Sequence, residues 1–235
     1  MKLTRERPVI DLAGEKINLD YITEYLHKLL PESTEELQLL EKYALDNEVP
    51  IIHREVKALL EVICLLKKPL KILEIGTAIG YSASVMALSS PEDVKITSIE
   101  REPEMTKLAL DNITKLQLEE KIRVIEGDAL EVLPLLSSKY DIVFMDAAKG
   151  YYNEFFDSVI NLINDGGLLI CDNVLYKGMT ATDDLVKRRQ KTIVGRMREF
   201  LEMLCNHSKL TTSVIPIGDG VTISYYQEVG KSEKT

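Results

Sequence analysis

The feature that most constrains the fold is a series of five short apolar runs, separated by helical stretches, that begins near residue 70. None of the runs alternates polar with apolar residues, which is typical of strands covered on both faces of a sheet. Strands that alternate with helices pair in parallel through right-handed crossovers. The pattern therefore predicts a doubly wound α/β sheet with strands at 71–75, 94–99, 122–125, 141–145 and 167–171.

The last two strands of the sheet are expected to be antiparallel, unlike the first five. Two further apolar segments, 211–217 and 221–226, are separated only by Gly218, Asp219 and Gly220. A parallel crossover needs about a dozen residues, so these strands must form an antiparallel hairpin, which gives seven strands in a mostly parallel sheet. A long helix over about 184–207 is predicted to precede the hairpin.

Helices are also predicted before the first strand, at 20–30, after the capping sequence Ser33–Glu36, and at about 53–67. We interpret residues 1–235 as one domain. Its parts are a helical extension (1–68), an α/β core (70–227) and a short charged tail (228–235).

Composition and charge exclude several classes of protein. The chain has 38 acidic and 29 basic residues and a net charge of -9, which argues against indiscriminate coating of nucleic acid but allows a local basic patch. Its longest early apolar run, 62–66, is far shorter than the roughly 18 residues of a membrane helix, and no signal core follows the amino terminus. We expect a cytoplasmic protein without a membrane partner. The cysteines show no zinc-site spacing and are predicted to be buried, apolar and reduced: Cys64, Cys171 and Cys205.

A GxxxG turn, Gly76 to Gly80, follows the first strand and is preceded by Glu74. Glycines there let the backbone turn sharply and approach a ligand at the start of the next helix. Dinucleotide enzymes instead use GxGxxG to hold a pyrophosphate. Because a carboxylate would repel a pyrophosphate but suit an ammonium and a sulfonium, the turn favours S-adenosylmethionine.

Two more acidic residues end the next predicted strands. Glu100 is placed to accept the ribose hydroxyls of a nucleoside, and Asp128 to accept its adenine amino group. Either residue alone is equally consistent with an ordinary polar strand end, and Asp128 with a helix cap. Three acidic residues at three successive strand ends, beside the same turn, favour the nucleoside site.

Strands four and five are followed by Asp146 and by the pair Asp172-Asn173. The carboxyl ends of parallel strands meet at one edge of the sheet, where ligands of open α/β folds bind. Two carboxylates and an amide oxygen form a hard donor set that suits Mg²⁺. Lys149, three residues after Asp146, can reach the same pocket and act as a general base. The alternative is that Asp172-Asn173 is a turn and Lys149 a solvated surface residue.

At these residues the sequence resembles the cation-dependent O-methyltransferases, which include the catechol and caffeoyl-CoA O-methyltransferases. The resemblance is carried by LEIGTAIGYS (73–82), EGDAL (126–130), MDAAKG (145–150) and CDNVLYKG (171–178). It implies a Rossmann-like class I methyltransferase fold, a homodimer, S-adenosylmethionine as cofactor and Mg²⁺ or another divalent cation. The implied metal ligands are Asp146, Asp172 and Asn173, with Lys149 and Asp146 catalytic. The implied cofactor contacts are Ile51, Ile52, Glu74, Gly76, Ser82, Glu100, Asp128, Ala129 and Asp146.

Within that family the sequence is similar to the bacterial tRNA 5-hydroxyuridine methyltransferases, which convert wobble 5-hydroxyuridine to 5-methoxyuridine. The matching segments are VPII (49–52), DNVLYKG (172–178), KRRQK (187–191) and VIPIGDGVTIS (214–224). The resemblance implies tRNA as substrate, bound by Lys187, Arg188 and Arg189. These belong to a twelve-residue segment without an acidic residue that also contains Lys191, Arg196 and Arg198. A solvated helix face is the alternative interpretation of such a basic run.

Three other functions are compatible with parts of this pattern. A small-molecule catechol or caffeoyl-CoA-type O-methyltransferase would use the same fold and chemistry. A nicotinamide dehydrogenase would share the sheet, but the GxxxG spacing and the terminal hairpin count against it. A non-catalytic S-adenosylmethionine-binding protein would have no need of Asp146, Lys149, Asp172 and Asn173 together.

Overall fold

The structure, a computed structural model, describes residues 17–147 and 149–229, apart from the side chain of Lys149. Most of the predicted charged tail and the first sixteen residues of the predicted helical extension lie outside the described residues. Within the described ranges, none of the helices has the length and apolar character needed to cross a bilayer.

Seven strands form one sheet. They are β1 (Lys71–Ile75), β2 (Lys95–Glu100), β3 (Ile122–Glu126), β4 (Tyr140–Met145), β5 (Ile163–Cys171), β6 (Leu210–Ile215) and β7 (Val221–Tyr226). Their order across the sheet is β3-β2-β1-β4-β5-β7-β6. The first five pair in parallel, whereas β7 runs antiparallel to both β5 and β6. The structure therefore confirms the predicted doubly wound sheet and its terminal hairpin.

Within residues 17–147 and 149–229, eight α-helices accompany this sheet. They are α1 (Asp20–Leu29), α2 (Glu35–Asp46), α3 (Arg54–Lys67), α4 (Tyr81–Leu88), α5 (Pro103–Lys115), α6 (Ala129–Val132), α7 (Tyr152–Asn161) and α8 (Lys191–Asn206). Helices α2 to α5 pack on one face of the sheet, and α6 to α8 pack on the other. Both faces are covered, which accounts for the continuous apolar strands. By contrast, α1 contains no buried residue.

The predicted helix over 184–207 begins later than the sequence pattern indicates. Residues Arg188–Gln190 form a single 3₁₀ turn, and regular α8 starts at Lys191. Upstream, the Thr182 hydroxyl accepts from the Asp184 amide at 3.2 Å, and the Asp183 carbonyl accepts from the Val186 amide at 3.0 Å. Such local hydrogen bonds compete with the helical ladder and stabilise turns instead.

The cysteines divide into two groups. Cys64 and Cys171 are buried as predicted, and burial raises the pKa of the Cys64 thiol to about 11 and that of Cys171 to about 12. The predicted burial of Cys205 is wrong, because this residue is exposed. The buried stripe of α8 ends at Leu204, so the next residue lies off the stripe.

Candidate active site

A cavity of about 590 Å³ opens at the carboxyl ends of the parallel strands. Its wall includes a residue at or just after the carboxyl end of each of the first five strands: Gly76, Glu100, Asp128, Asp146 and Asp172. It is completed by 50–53, the segment before α3, which contains the predicted contacts Ile51 and Ile52. The chain reverses its strand order between β1 and β4, and open α/β sheets bind their ligands at such a switch point. A volume of this size suits a small-molecule or cofactor site.

The turn after β1 brings the backbone close to the end of β4. Gly76 has a φ of +101°, and its amide donates to the Ile99 carbonyl at 3.0 Å. A Cβ at this position would lie 2.2 Å from the Asp146 carbonyl oxygen. Residues with a side chain rarely adopt this backbone conformation, so both φ and space require glycine here.

We therefore expect Gly76→Ala to lower the free energy of unfolding by about 2–4 kcal/mol, because the backbone must move away from the Asp146 carbonyl. Gly195→Ala is a matched control, since a Cβ there would meet no atom within 4 Å. This control is expected to stay within about 1 kcal/mol of wild type, with alanine favoured in the helix. Urea unfolding measures both variants, and equal stability of the two would contradict the argument.

Glu74 lies behind the turn rather than on the cavity wall. Its carboxylate is fully buried and accepts hydrogen bonds from the Ser82 hydroxyl at 2.6 Å and from the Ser98 hydroxyl. Burial raises the pKa of Glu74 to about 8, although the two hydroxyl groups act in the opposite direction. Ser82 itself is in the wall. The carboxylate thus joins β1, β2 and the start of α4, and its predicted contact with a cofactor ammonium stays a prediction.

Glu100 and Asp128 both line the cavity and also bind backbone amides. Glu100 accepts from the Ala78 amide at 2.8 Å and from the Glu102 amide at 3.0 Å. Asp128 accepts from the Leu130 amide at 2.8 Å and caps α6. The cap interpretation of Asp128 is therefore right, and it is compatible with ligand binding because a carboxylate offers about four acceptor sites. Ala129 lies beside it in the wall.

On the other side of the switch point, the structure brings Asp146, Asp172 and Asn173 together. The Asn173 amide group donates to Asp146 Oδ1 at 2.7 Å, and the Asn173 backbone amide donates to Asp172 Oδ1 at 2.7 Å. All three line the cavity, although Asp172 is only 1% exposed. Asn173 has a φ of +63°, in the left-handed region that asparagine tolerates. The juxtaposition expected from the strand ends is present, while the metal-binding role stays a prediction.

The donors at this point fit a hard divalent cation. They are two carboxylates and one amide, and the hydrogen bond between Asp146 and Asn173 shows that the polar ends of these two side chains are in contact. Rotating the amide group of Asn173 exchanges its nitrogen and oxygen, which turns a donor towards Asp146 into an oxygen ligand. No cluster of three His, Cys, Asp or Glu side chains that could hold a metal occurs in the part of the chain that the structure describes.

Several aromatic residues in or behind the cavity wall were not predicted from the sequence as site residues. The Tyr152 hydroxyl lies 3.2 Å from the Met145 carbonyl and 3.0 Å from the Asp172 carbonyl, and so ties the ends of β4 and β5 together. Burial raises the pKa of this hydroxyl well above its ordinary value. The sequence feature that could have indicated this role is the position of Tyr152 on the buried stripe of α7, since a buried tyrosine hydroxyl needs a hydrogen-bond partner. Tyr151, Phe155 and Tyr176 add an aromatic wall on the same side.

Lys149 begins a 3₁₀ turn, Lys149–Tyr151, directly after the wall segment 146–147. Its side chain lies outside the described part of the structure. The proposed role of Lys149 as general base therefore stays a prediction from the sequence.

The basic segment 187–198 is divided by its contacts. Arg196 pairs with Glu154 at 2.8 Å, and Arg198 pairs with Asp183 at 2.7 Å while donating to two backbone carbonyls. These two arginines have acidic partners within the protein, and the phosphate-binding role of the basic run stays a prediction. The remaining cations are exposed: Lys187, Arg188, Arg189 and Lys191. Ile193, two residues after Lys191 on α8, lines the cavity, so the basic run leads along the chain into the cavity wall.

Comparisons with known proteins agree with this geometry. A family model described as O-methyltransferase matches residues 24–226. The caffeoyl-CoA O-methyltransferase of Populus kitakamiensis is 32% identical over 158 residues, which are 64% of this chain and 67% of the relative. A Staphylococcus aureus protein of known crystal structure is 35% identical, with a TM-score of 0.82 over 88% of this chain and 100% of that chain. The O-methyltransferase TomG of Streptomyces achromogenes, solved with S-adenosylmethionine, is 27% identical, with a TM-score of 0.78 over 88% and 96%.

The sheet and the cavity at its strand ends define a Rossmann-like class I methyltransferase. With the family model covering most of its length, the chain belongs to the cation-dependent O-methyltransferase family.

Proposed function

We propose that this protein transfers a methyl group from S-adenosylmethionine to the 5-hydroxyl of wobble 5-hydroxyuridine in tRNA, giving 5-methoxyuridine in a Mg²⁺-dependent reaction. One observation carries the RNA substrate. The exposed cations Lys187, Arg188, Arg189 and Lys191 precede Ile193, which lines the cavity that contains Asp146, Asp172 and Asn173. Cations in that position can hold phosphates while a nucleotide enters the cavity.

The cofactor is assigned to the half of the cavity formed after β1, β2 and β3. Gly76 allows the ligand to approach the backbone, Glu100 accepts the ribose hydroxyls, and Asp128 accepts the adenine amino group. Ile52 and Ala129 supply apolar contacts from neighbouring segments. The solved complex of TomG with S-adenosylmethionine supports this choice of cofactor.

The reacting hydroxyl is assigned to the other half, after β4 and β5. Asp146, Asp172 and Asn173 would hold Mg²⁺, which supplies a lower pKa for a hydroxyl bound beside it. Lys149 accepts the proton of that hydroxyl, and the resulting oxygen attacks the sulfonium methyl in line. The carbon–sulfur bond breaks as the carbon–oxygen bond forms, leaving the methylated acceptor and S-adenosylhomocysteine.

The chemistry of the nucleobase suits this site. The 5-hydroxyl and the adjacent O4 carbonyl of 5-hydroxyuridine form a chelating pair similar to the two oxygens of a catechol. The base must leave its stack to reach the cavity, as in other enzymes that modify nucleobases. Tyr151 and Tyr176 offer flat surfaces for a ring in that half of the cavity.

A small-molecule acceptor of the catechol or caffeoyl-CoA type is the second candidate. It is favoured by the name of the Populus kitakamiensis relative and would use the same oxygen donors. Mass spectrometry of wobble nucleosides in tRNA from cells with and without the gene separates the two. Loss of 5-methoxyuridine with accumulation of 5-hydroxyuridine supports the tRNA substrate, whereas unchanged nucleosides and turnover of a free catechol support the alternative.

The basic residues provide a direct test of RNA binding. We expect the double variant Arg188→Ala/Arg189→Ala to bind tRNA more weakly and to reduce the slope of log K against log salt by about 2, because each phosphate contact contributes about 0.9. Lys107→Ala/Lys115→Ala removes two exposed cations from α5, which covers the opposite face of the sheet, and is the matched control. Filter binding over a salt series measures both, and equal slopes for the two variants would count against the tRNA substrate.

We also propose that α1 packs against a second copy of the chain. Tyr21, Tyr25 and Leu29 are 61–68% exposed, and the helix buries none of its residues in the described part of the chain. Exposed apolar side chains of this density mark interaction surfaces. Light scattering is expected to give twice the chain mass of 26.6 kDa for the wild type and the single mass for Tyr21→Glu/Tyr25→Glu. A monomeric wild type would contradict the proposal.

A further inference from the structure

The turn of the terminal hairpin is bound to the loop that follows β5. The Gly220 carbonyl accepts from the Val174 amide at 3.0 Å, and the Asp219 carbonyl accepts from the Leu175 amide at 2.9 Å. The Asp219 side chain accepts from the Lys177 amide through Oδ1. Two residues of the hairpin turn thus satisfy three backbone amides of the loop 174–177.

The loop that these bonds hold has an unusual backbone. Asn173, Tyr176 and Lys177 have φ values of +63°, +44° and +55°. Residues other than glycine rarely adopt this left-handed region, and they keep it only where neighbouring structure holds them there. Because Asn173 and Tyr176 line the cavity, the conformation of this loop sets the shape of the acceptor half.

The fit between turn and loop is close. A Cβ on Gly220 would lie 2.4 Å from Leu175 Cγ, and a Cβ on Gly218 would lie 2.8 Å from Val56 on α3. The hairpin turn is therefore wedged between the loop and α3. Asp219 is 9% exposed and is not among the residues that line the cavity, whereas the loop to which its carboxylate is bonded contributes Tyr176 to the cavity wall.

We propose that Asp219 is a positioning residue for the acceptor side of the site. Its carboxylate fixes the Lys177 amide, and thereby the backbone that presents Tyr176 and Asn173 to the cavity. The segment GDG at 218–220 then has a function of its own: glycines allow close approach, and the aspartate supplies the acceptor. This inference rests on the proposed function, because its effect on turnover is measured in the proposed methyl-transfer reaction.

Two substitutions at this position separate positioning from stability. Asp219→Ala removes the acceptor, whereas Asp219→Asn retains an Oδ1 that can still accept from the Lys177 amide. Asp165→Ala is the matched control, because the Asp165 carboxylate accepts from the Glu228 amide at 2.8 Å just beyond the carboxyl end of β7, at the opposite end of that strand from the hairpin turn. In each variant the altered aspartate is one whose carboxylate accepts from a backbone amide, that of Lys177 for Asp219 and that of Glu228 for Asp165.

We expect Asp219→Ala to lower kcat/KM for the acceptor by about 10- to 100-fold, since a small misplacement of the reacting groups has an effect of that size. The Kd for S-adenosylmethionine is expected to change by less than about twofold, because Gly76, Glu100 and Asp128 are not bound to this loop. Hydrogen–deuterium exchange at residues 174–177 is expected to accelerate in Asp219→Ala and to return towards wild type in Asp219→Asn. Asp165→Ala is expected to change neither the exchange of this loop nor acceptor turnover.

Two outcomes would overturn the proposal: unchanged loop exchange in Asp219→Ala, or an equal loss of acceptor turnover in Asp165→Ala. A parallel loss of cofactor and acceptor binding would do the same, because it would indicate general destabilisation. If the wild type fails to methylate 5-hydroxyuridine in tRNA, the proposed substrate is wrong, while the exchange measurement and a catechol acceptor still decide the role of Asp219.

Discussion

Asp146→Asn and Asp172→Asn are each expected to lower Mg²⁺-dependent methyl transfer by about 10³-fold or more. The reason is that a metal ion contributes several kcal/mol of transition-state stabilisation, and both carboxylates lie where the acceptor hydroxyl must bind. Asparagine keeps an Oδ1 that can accept the hydrogen bonds which Asn173 donates to both residues. We therefore expect both variants to retain their fold, and Asp172→Asn to retain its affinity for S-adenosylmethionine.

The measurement is the initial rate of methyl transfer at saturating Mg²⁺, with cofactor binding determined by calorimetry. Asp157→Asn removes an exposed carboxylate from α7 and serves as the control for charge alone. The wild type is expected to lose activity in excess chelator and to recover it when Mg²⁺ is restored. Full activity of the wild type in chelator would refute the metal role of all three donors.

Lys149→Ala is expected to lower kcat by about 10²- to 10⁴-fold, the usual contribution of a general base. The KM for the acceptor is expected to change little, because the proposed metal donors and the basic residues 187–191 are unaltered. Lys149→Arg keeps the positive charge but cannot accept a proton under these conditions, so it is expected to be as slow as the alanine variant. Single-turnover rates separate the chemical step from binding and product release.

The arginine variant distinguishes the two roles of a cation at this position. Recovery of the rate in Lys149→Arg would show that the residue acts through its charge rather than by accepting a proton. A change confined to KM in either variant would indicate a role in substrate binding instead.

The fold could be predicted from the sequence because its signals are local and strong. Continuous apolar strands separated by helices specify a doubly wound sheet, and the three residues 218–220 are too few for a parallel crossover. The start of α8 was predicted too early because the hydroxyl of Thr182 stabilises a turn in a segment with helical composition.

The site was predicted in part for a related reason. Residues at strand ends share one edge of the sheet, so the proximity of Asp146 and Asn173 follows from the order of the elements. Contacts that depend on how side chains pack in the folded protein could not be predicted from the sequence pattern in the same way. The withdrawal of Glu74 behind the turn depends on serines in β2 and α4, and the link from Tyr152 to two strand ends depends on the packing of α7.

The strand order β3-β2-β1-β4-β5 separates the cavity into two halves, to which we assign the cofactor and the acceptor. The segments after β1, β2 and β3, which come earlier in the chain, form the cofactor half. The segments after β4 and β5, which come later, form the acceptor half, and the two halves meet between β1 and β4. Substitutions in the later segments can therefore change which nucleophile is accepted, while the earlier segments that bind the methyl donor stay unchanged. The same modularity gives protein engineers a defined target: exchanging residues after β4 and β5, together with the first turn of α8, is the economical route to altered acceptor choice.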